Sequence, residues 1–129
     1  MTVGVGPIEP EHPVLLLWRA AFDAKGFGHF THGIARDPGC WLGFWYGPRL
    51  LAAMGLTICH DHTLFIDELL CEPTRAGLHA RVILGTTVRD TWSGAIRFNC
   101  EVANRSVRRV VELLGARPVA ALYEATGGR

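Results

Sequence analysis

The chain has 129 residues, enough for one domain to bury a core without disulfide or metal staples. Hydrophobic residues make up 49% and charged residues 19%, which excludes a disordered chain. The formal net charge of +1 argues against a general nucleic-acid binder, which carries a clear basic excess.

The segment "TVGVGPIEPEH" starts extended and ends in a proline-rich turn, so a short first strand is predicted. "PEHPVLLLWRAAFDAKGFG" then reads as a helix with Pro13 in its first turn and Leu16, Leu17, Ala20 and Ala21 on one apolar face. "HFTHGIARDPG" predicts a second, short helix that stops before Pro38. "CWLGFWYG" is a strand dense in aromatics, "GPRL" a turn, and "LLAAMGLTICH" the partner strand of a hairpin. "TLFIDELLCEP" is apolar enough to be a central strand. A helix follows from Arg75 to Trp92, weakened by Gly85. "SGAIRFNCEVA" returns as a strand, which suggests a parallel crossover pair. In "NRSVRRVVELLGA" Asn104 is the N-cap, Val107, Val110, Val111 and Leu114 form the apolar face, and Gly115 is the stop. "RPVAALYEA" is the last strand. The order is β-α-α-β-β-β-α-β-α-β, an α/β chain with a mixed sheet and helices on both faces. With no internal repeat or low-complexity linker, residues 1–129 read as a single domain.

The four cysteines, Cys40, Cys59, Cys71 and Cys100, form no C-x-x-C pair and sit mostly in apolar runs. Buried reduced thiols and a cytoplasmic location are the expectation. The N-terminus lacks the charged and apolar regions of a signal peptide, and no apolar run approaches the ~18 residues of a membrane span.

The stretch "IDELLCEPTRAGLHARVIL" joins the central strand to the following helix. A helix N-terminus gathers unpaired N–H groups and the positive end of the helix dipole, and so suits a pyrophosphate. Glycine in such a turn lets a backbone approach closely. Lys25 is the only lysine, so phosphate contacts would fall to arginine forks and backbone N–H groups.

This stretch, the element order and the helix "VANRSVRRVVELLGARPV" together resemble the GNAT superfamily of acyl-CoA-dependent N-acyltransferases. Leu69, Cys71 and Pro73 match the family's apolar-x-apolar-x-Pro strand end, and Gly77 matches its glycine turn. Thr74 and His79 stand where the family prefers Gln or Arg and a small residue. Asn104 and the Leu114-Gly115-Ala116 turn match the family's last helix. The resemblance implies a GNAT-like fold, acetyl-CoA as co-substrate, and transfer of an acetyl group to an amine of a small molecule or protein. It places the cofactor against Leu69, Leu70, Cys71, Arg75, Ala76, Gly77, Leu78, His79, Ala80 and Asn104. Many members carry a tyrosine seven residues after the asparagine that protonates the leaving thiolate; here that position is Val111.

Acyl transfer from a thioester to an amine needs a donor to the carbonyl, a base for the amine and an acid for the thiolate. By the resemblance, the N–H of Leu70 or Cys71 is the carbonyl donor. Asp67, Glu68 and Glu101 are the carboxylates considered as base, with Glu101 and Glu68 preferred; each is as readily a solvated charge or an arginine partner. Asp67 and Glu68 are consecutive on one strand, so only one is expected on a given side. Tyr123 and Tyr46 are the only tyrosines, and Tyr123 is the candidate acid, with a half-buried structural role as its competitor. The rival reading is a catalytically inactive GNAT-fold module that binds a partner or forms a homodimer through its apolar hairpin. "CHDH" holds metal-ligand residue types, but four contiguous residues in a turn make a strained site, so no metal is expected. Of Trp41, Phe44, Trp45 and Tyr46, one exposed aromatic on a core strand is expected; only Arg49 lies close by, too little basic charge for nucleic acid.

Overall fold

The computed structural model describes residues 3–24, 39–99, 105–119 and 122–128. Apolar runs separated by two turns set the first half of its sheet. Strands β2 (Cys40–Tyr46), β3 (Arg49–Ile58) and β4 (Leu64–Cys71) form an antiparallel meander, and β1 (Val3–Pro7) pairs with β2 at the edge. Gly47 in the β2–β3 turn has a φ of 58°, a left-handed conformation that glycine adopts without a steric penalty.

Helix α2 (Arg75–Thr91) leads from β4 to β5 (Ala95–Asn99), which runs parallel to β4. Helix α3 (Arg105–Leu113) then leads to β6 (Arg117–Val119) and β7 (Leu122–Thr126). The strand order is β1-β2-β3-β4-β5-β7-β6. The predicted single last strand is therefore a hairpin, with β7 inserted between β5 and β6. The rest of the mixed-sheet α/β architecture follows the predicted order. The short helix expected over residues 29–39 falls almost wholly outside the described residues.

The sheet separates two cores. On one face α2 and α3 bury Ala80, Leu84, Val88, Val110, Val111 and Leu114 against Met54, Leu56, Ile66 and Ile96. On the other, α1 (Pro13–Ala24) buries Leu15 and packs Val14, Trp18 and Phe22 against Trp41, Leu50, Ala53 and Leu70. The α1 face is thus the reverse of the one predicted: Leu16, Leu17, Ala20 and Ala21 are exposed. Helix α1 carries apolar residues on both sides. Trp18 and Phe22 offer more area than the two alanines, so packing selects their stripe.

Helix α3 ends as predicted at Gly115, whose φ is 82°. Ala116 N–H donates to Val111 O at 3.0 Å and Gly115 N–H to Glu112 O at 3.0 Å, the two bonds of a Schellman cap. Gly85 in α2 faces α3: a Cβ there would lie 2.7 Å from Leu114 Cδ1, the end of a side chain. The cysteines differ from expectation. Cys40 is exposed and Cys59 and Cys71 are half-buried, all three as free thiols; Cys100 lies outside the described residues. No helix among the described residues is long and apolar enough to cross a membrane.

Candidate functional site

Strand β4 is irregular where the sequence pattern places the chemistry. Gly55 pairs with Glu68 and Leu56 with Ile66, so Asp67 is an extra residue, a bulge in β4. The bulge shifts the alternation by one. Leu64, Ile66 and Leu69 all enter the α2 side core, while Leu70 enters the α1 side core.

Pairing of β4 with β5 runs only from Leu64↔Ile96 to Ile66↔Phe98, although β4 continues to Cys71. Among the described residues, β4 from Asp67 onward has no strand on its β5 side. Which N–H groups face that gap follows from the other ladder. Glu72 N–H donates to Leu51 O at 2.9 Å. Bonded and non-bonded pairs alternate in an antiparallel ladder, so Leu70, opposite Ala53, also turns its N–H toward β3. Leu69 and Cys71 turn theirs toward the gap. Of the two donors expected from sequence, Leu70 is committed to the sheet, and Leu69 joins Cys71 as the residue facing outward.

At the end of β4, Thr74 is the N-cap of α2, extended at φ −134° and ψ 165°. Its Oγ1 accepts from Gly77 N–H at 3.1 Å, and Leu78 N–H donates to Thr74 O at 2.9 Å. The Arg75 and Ala76 N–H groups remain without a protein partner among the described residues, at a helix end with no acid in its first turn. Arg75, Ala76, Leu78 and His79 are exposed around them, while Gly77 and Ala80 are buried. Ala80 is 1% exposed and belongs to the core. A Cβ on Gly77 would stand 2.1 Å from Glu72 O, so this glycine is required by the approach of α2 to the end of β4.

A polar network supports this corner. Arg49 donates to Glu72 through Nε at 3.1 Å and Nη2 at 2.6 Å, and Thr74 Oγ1 donates to Glu72 Oε2 at 2.7 Å. The Arg49 and Thr74 hydrogen bonds, then the Arg49 charge, hold the Glu72 carboxyl below its ordinary range. Thr74 is thus fixed on both sides, as cap acceptor and as donor to Glu72.

The bulge also brings both consecutive acids to the α1 face. Thr57 Oγ1 donates to Asp67 Oδ2 at 2.7 Å, and Glu68 Oε2 lies 2.9 Å from Arg19 Nε of α1. The expectation that only one would face a given side held for a regular strand and fails at a bulge.

No protein-family model and no curated protein matches this sequence. Solved structures do match. A GNAT-family acetyltransferase from Bacillus cereus ATCC 10987 superposes with a TM-score of 0.67 at 12% identity, covering 100% of both chains. This chain has the GNAT fold. An acetyltransferase from Bacillus subtilis in complex with CoA gives a TM-score of 0.63 at 11% identity, covering 92% of this chain and 79% of that one. The ribosomal-protein-S18-alanine N-acetyltransferase of Escherichia coli gives 0.60 at 10% identity, covering 99% and 96%.

Within this GNAT fold the remaining predicted residues sort as follows. Glu101 and Asn104 lie outside the described residues. Tyr123 of β7 pairs with Phe98, the last β5 residue in register with β4 among the described residues, so its backbone stands in the row where that described pairing ends. Val111 is fully buried between α3 and the sheet; it is a core residue in position as well as in type. Tyr46 is the exposed aromatic of β2, at 50%, and Trp41 is buried. In "CHDH", Asp61 accepts from Thr63 N–H at 3.1 Å and shapes the turn, and the Thr63 hydrogen bonds lower its carboxyl. His62 stacks on Trp92 with ring centroids 4.4 Å apart. No His, Cys, Asp and Glu group suited to a metal occurs among the described residues. Sequence reasoning missed Arg19, Gly55 and the Arg49–Glu72 pair, whose partners are far apart in the chain and carry no local motif.

Proposed function

We propose that the chain is an acyl-CoA-dependent N-acyltransferase, most simply an N-acetyltransferase, acting on an amine of a small molecule or protein. The observation that carries this reading is the helix end at Arg75 and Ala76, whose N–H groups have no protein partner among the described residues, beside the length of β4 that follows its last described pair with β5. The N–H of Leu69, which points away from β3, would bond an extended amide-bearing arm, and the Arg75 and Ala76 N–H groups suit a pyrophosphate. Glycine at 77 keeps that helix end against the strand. These features fit coenzyme A, and solved structures of the same fold include one in complex with CoA.

Acetyl-CoA would supply an acyl group activated as a thioester. Leu69 N–H, facing the gap beyond the bulge, is the donor to the carbonyl oxygen as negative charge develops there. Glu68 takes the proton of the attacking amine, directly or through water, with Glu101 as the other carboxylate proposed for this step. The C–N bond forms as the C–S bond breaks, and the departing thiolate takes a proton from Tyr123 or from solvent. Leu70, Leu78, His79 and Ala80 shape the surroundings rather than donate hydrogen bonds to the cofactor. Asn104 completes the cofactor contacts implied by the family.

Arg75→Pro tests the cradle without breaking the helix. Position 75 is the first helical residue, where proline is tolerated, and Thr74 already has the extended conformation that precedes proline. The substitution removes one N–H, while Arg75→Ala removes only the side chain. Loss of a charged hydrogen bond is worth about 1.5–3 kcal/mol, so Arg75→Pro is expected to bind CoA about tenfold or more weakly than Arg75→Ala in calorimetry. Equal binding by the two variants rejects the cradle.

The buried Val111 favours one second reading, a GNAT-fold module that binds acyl-CoA or a partner without turnover. Release of free thiol from acetyl-CoA during an amine screen separates the two.

A further inference from the structure

On the α1 face, Trp41, Gly55 and Glu68 form one row across three strands: Trp41 pairs with Gly55, and Gly55 with Glu68. Neighbouring strands are about 4.8 Å apart, so the outer two backbones stand roughly 10 Å apart. The middle residue has no side chain. The row is therefore a slot with an indole wall, a glycine floor and a carboxylate at the far end. A cation already lies in it. Arg19 of α1 has its Cζ 5.2 Å from the Trp41 ring centroid and its Nε 2.9 Å from Glu68 Oε2.

The Arg49–Glu72 and Arg19–Glu68 pairs differ in kind. Arg49 grips Glu72 with a two-pronged fork. Arg19 meets Glu68 through Nε, with its ring contact supplied by Trp41. A fork needs a planar guanidinium, whereas a carboxylate and an aromatic face accept any compact cation. The slot therefore suits a primary ammonium as well as it suits Arg19. The Arg19 side chain is 31% exposed, so it reaches solvent without unfolding α1. The slot also adjoins the Asp67 bulge, beside the last described pair of β4 with β5.

We propose that this slot receives the cationic head of the acceptor, a primary ammonium on an unbranched alkyl arm, and that Arg19 occupies it as an internal stand-in until the acceptor displaces it. The methylenes of the arm pack on the Trp41 ring, and Glu68 holds the ammonium at the mouth of the gap. The identification of this cation as the acceptor rests on the proposed acyl transfer; the binding itself does not.

The test uses butylammonium as the probe, without acetyl-CoA, read by thermal shift and tryptophan fluorescence. Arg19→Ala is expected to bind it at least tenfold more tightly than the wild type, and Arg19→Ala with Glu68→Gln to lose that gain. Arg19→Gln, which keeps the stem and removes the charge, is expected to show the same direction and covers the case in which the alanine variant folds poorly. No gain in either single variant, or a gain that survives Glu68→Gln, overturns the proposal. Because the readout omits acetyl-CoA, failure of the slot and failure of the acyltransferase reading are separate results. If both hold, Arg19→Gln lowers KM for alkylamine acceptors more than it changes kcat; a KM unchanged by the substitution removes the acceptor assignment.

Discussion

Substituting Gly77 by alanine separates a packing glycine from a merely permissive one. Alanine is about 1 kcal/mol better than glycine inside a helix, so in open space the change would stabilise α2. Here the added Cβ would stand 2.1 Å from Glu72 O and 2.8 Å from Glu72 C, against a practical limit of 3.0 Å. The obstructing atoms are backbone, and the same carbonyl accepts from Thr74 N–H at 2.8 Å. Something must move by nearly an ångström, and overpacking of this kind costs typically 1–3 kcal/mol. Because the obstruction is backbone, the cost falls in the upper part of that range, about 2–3 kcal/mol; less the ~1 kcal/mol propensity gain, the expected net loss is about 1–2 kcal/mol, or a fall in Tm of roughly 3–8 °C for a chain of this size. Gly85→Ala is the internal control. Its Cβ would meet Leu114 Cδ1 at 2.7 Å and the next Leu114 atom only at 3.6 Å, the far end of a flexible side chain, so its effect should stay within about 0.5 kcal/mol of neutral. Urea unfolding followed by circular dichroism measures both. A Gly77→Ala protein as stable as the wild type, or a Gly85→Ala protein that loses more, would refute the close approach of α2 to β4.

Two further outcomes follow from the same corner and the same core. Glu72 has a folded-state pKa below its unfolded value, so its contribution is fully present above about pH 5.5, where an unfolded glutamate is ionised, and is lost as the pH falls below about 4.3 through the lower folded-state value. Arg49→Ala should therefore be less stable than the wild type at neutral pH, with the gap in urea midpoint closing in acid; a gap that is constant from pH 7 to pH 3 contradicts this. Val111→Tyr puts a phenol at a fully buried position. It should destabilise by about 1–3 kcal/mol and add no thiol-releasing activity, whereas a stable and faster variant would show that position 111 faces the cofactor.

Most of the architecture is legible in the sequence because it rests on local signals. Pro13 starts a helix, Gly115 stops one, and two apolar runs divided by Gly47 and Pro48 mark a hairpin. The sites of failure are those where tertiary packing or a single inserted residue decides. Nothing in "LLLWRAAF" tells which apolar stripe the sheet will take, and the larger rings win. The run "RPVAALYEA" is continuously apolar enough to hide its division between β6 and β7. The Asp67 bulge is invisible in "LFIDELLC", yet it places two acids on one face and decides that Leu69 N–H, not that of Leu70, faces the gap. The motif residues Leu69, Cys71 and Gly77 could be named from the pattern alone. The Arg19, Trp41, Gly55 and Glu68 row could not, because it exists only once four elements are in register.

Binding of acetyl-CoA tests the central claim most directly, through thermal unfolding of the wild-type protein with and without the compound at millimolar concentration. A ligand that binds only the native state stabilises it by about 2.7 kcal/mol at a hundredfold excess over Kd, an upward shift of several degrees for a chain of this size. The predicted result is that rise, smaller in Arg75→Pro than in Arg75→Ala. An unchanged Tm at millimolar acetyl-CoA would contradict the acyltransferase reading.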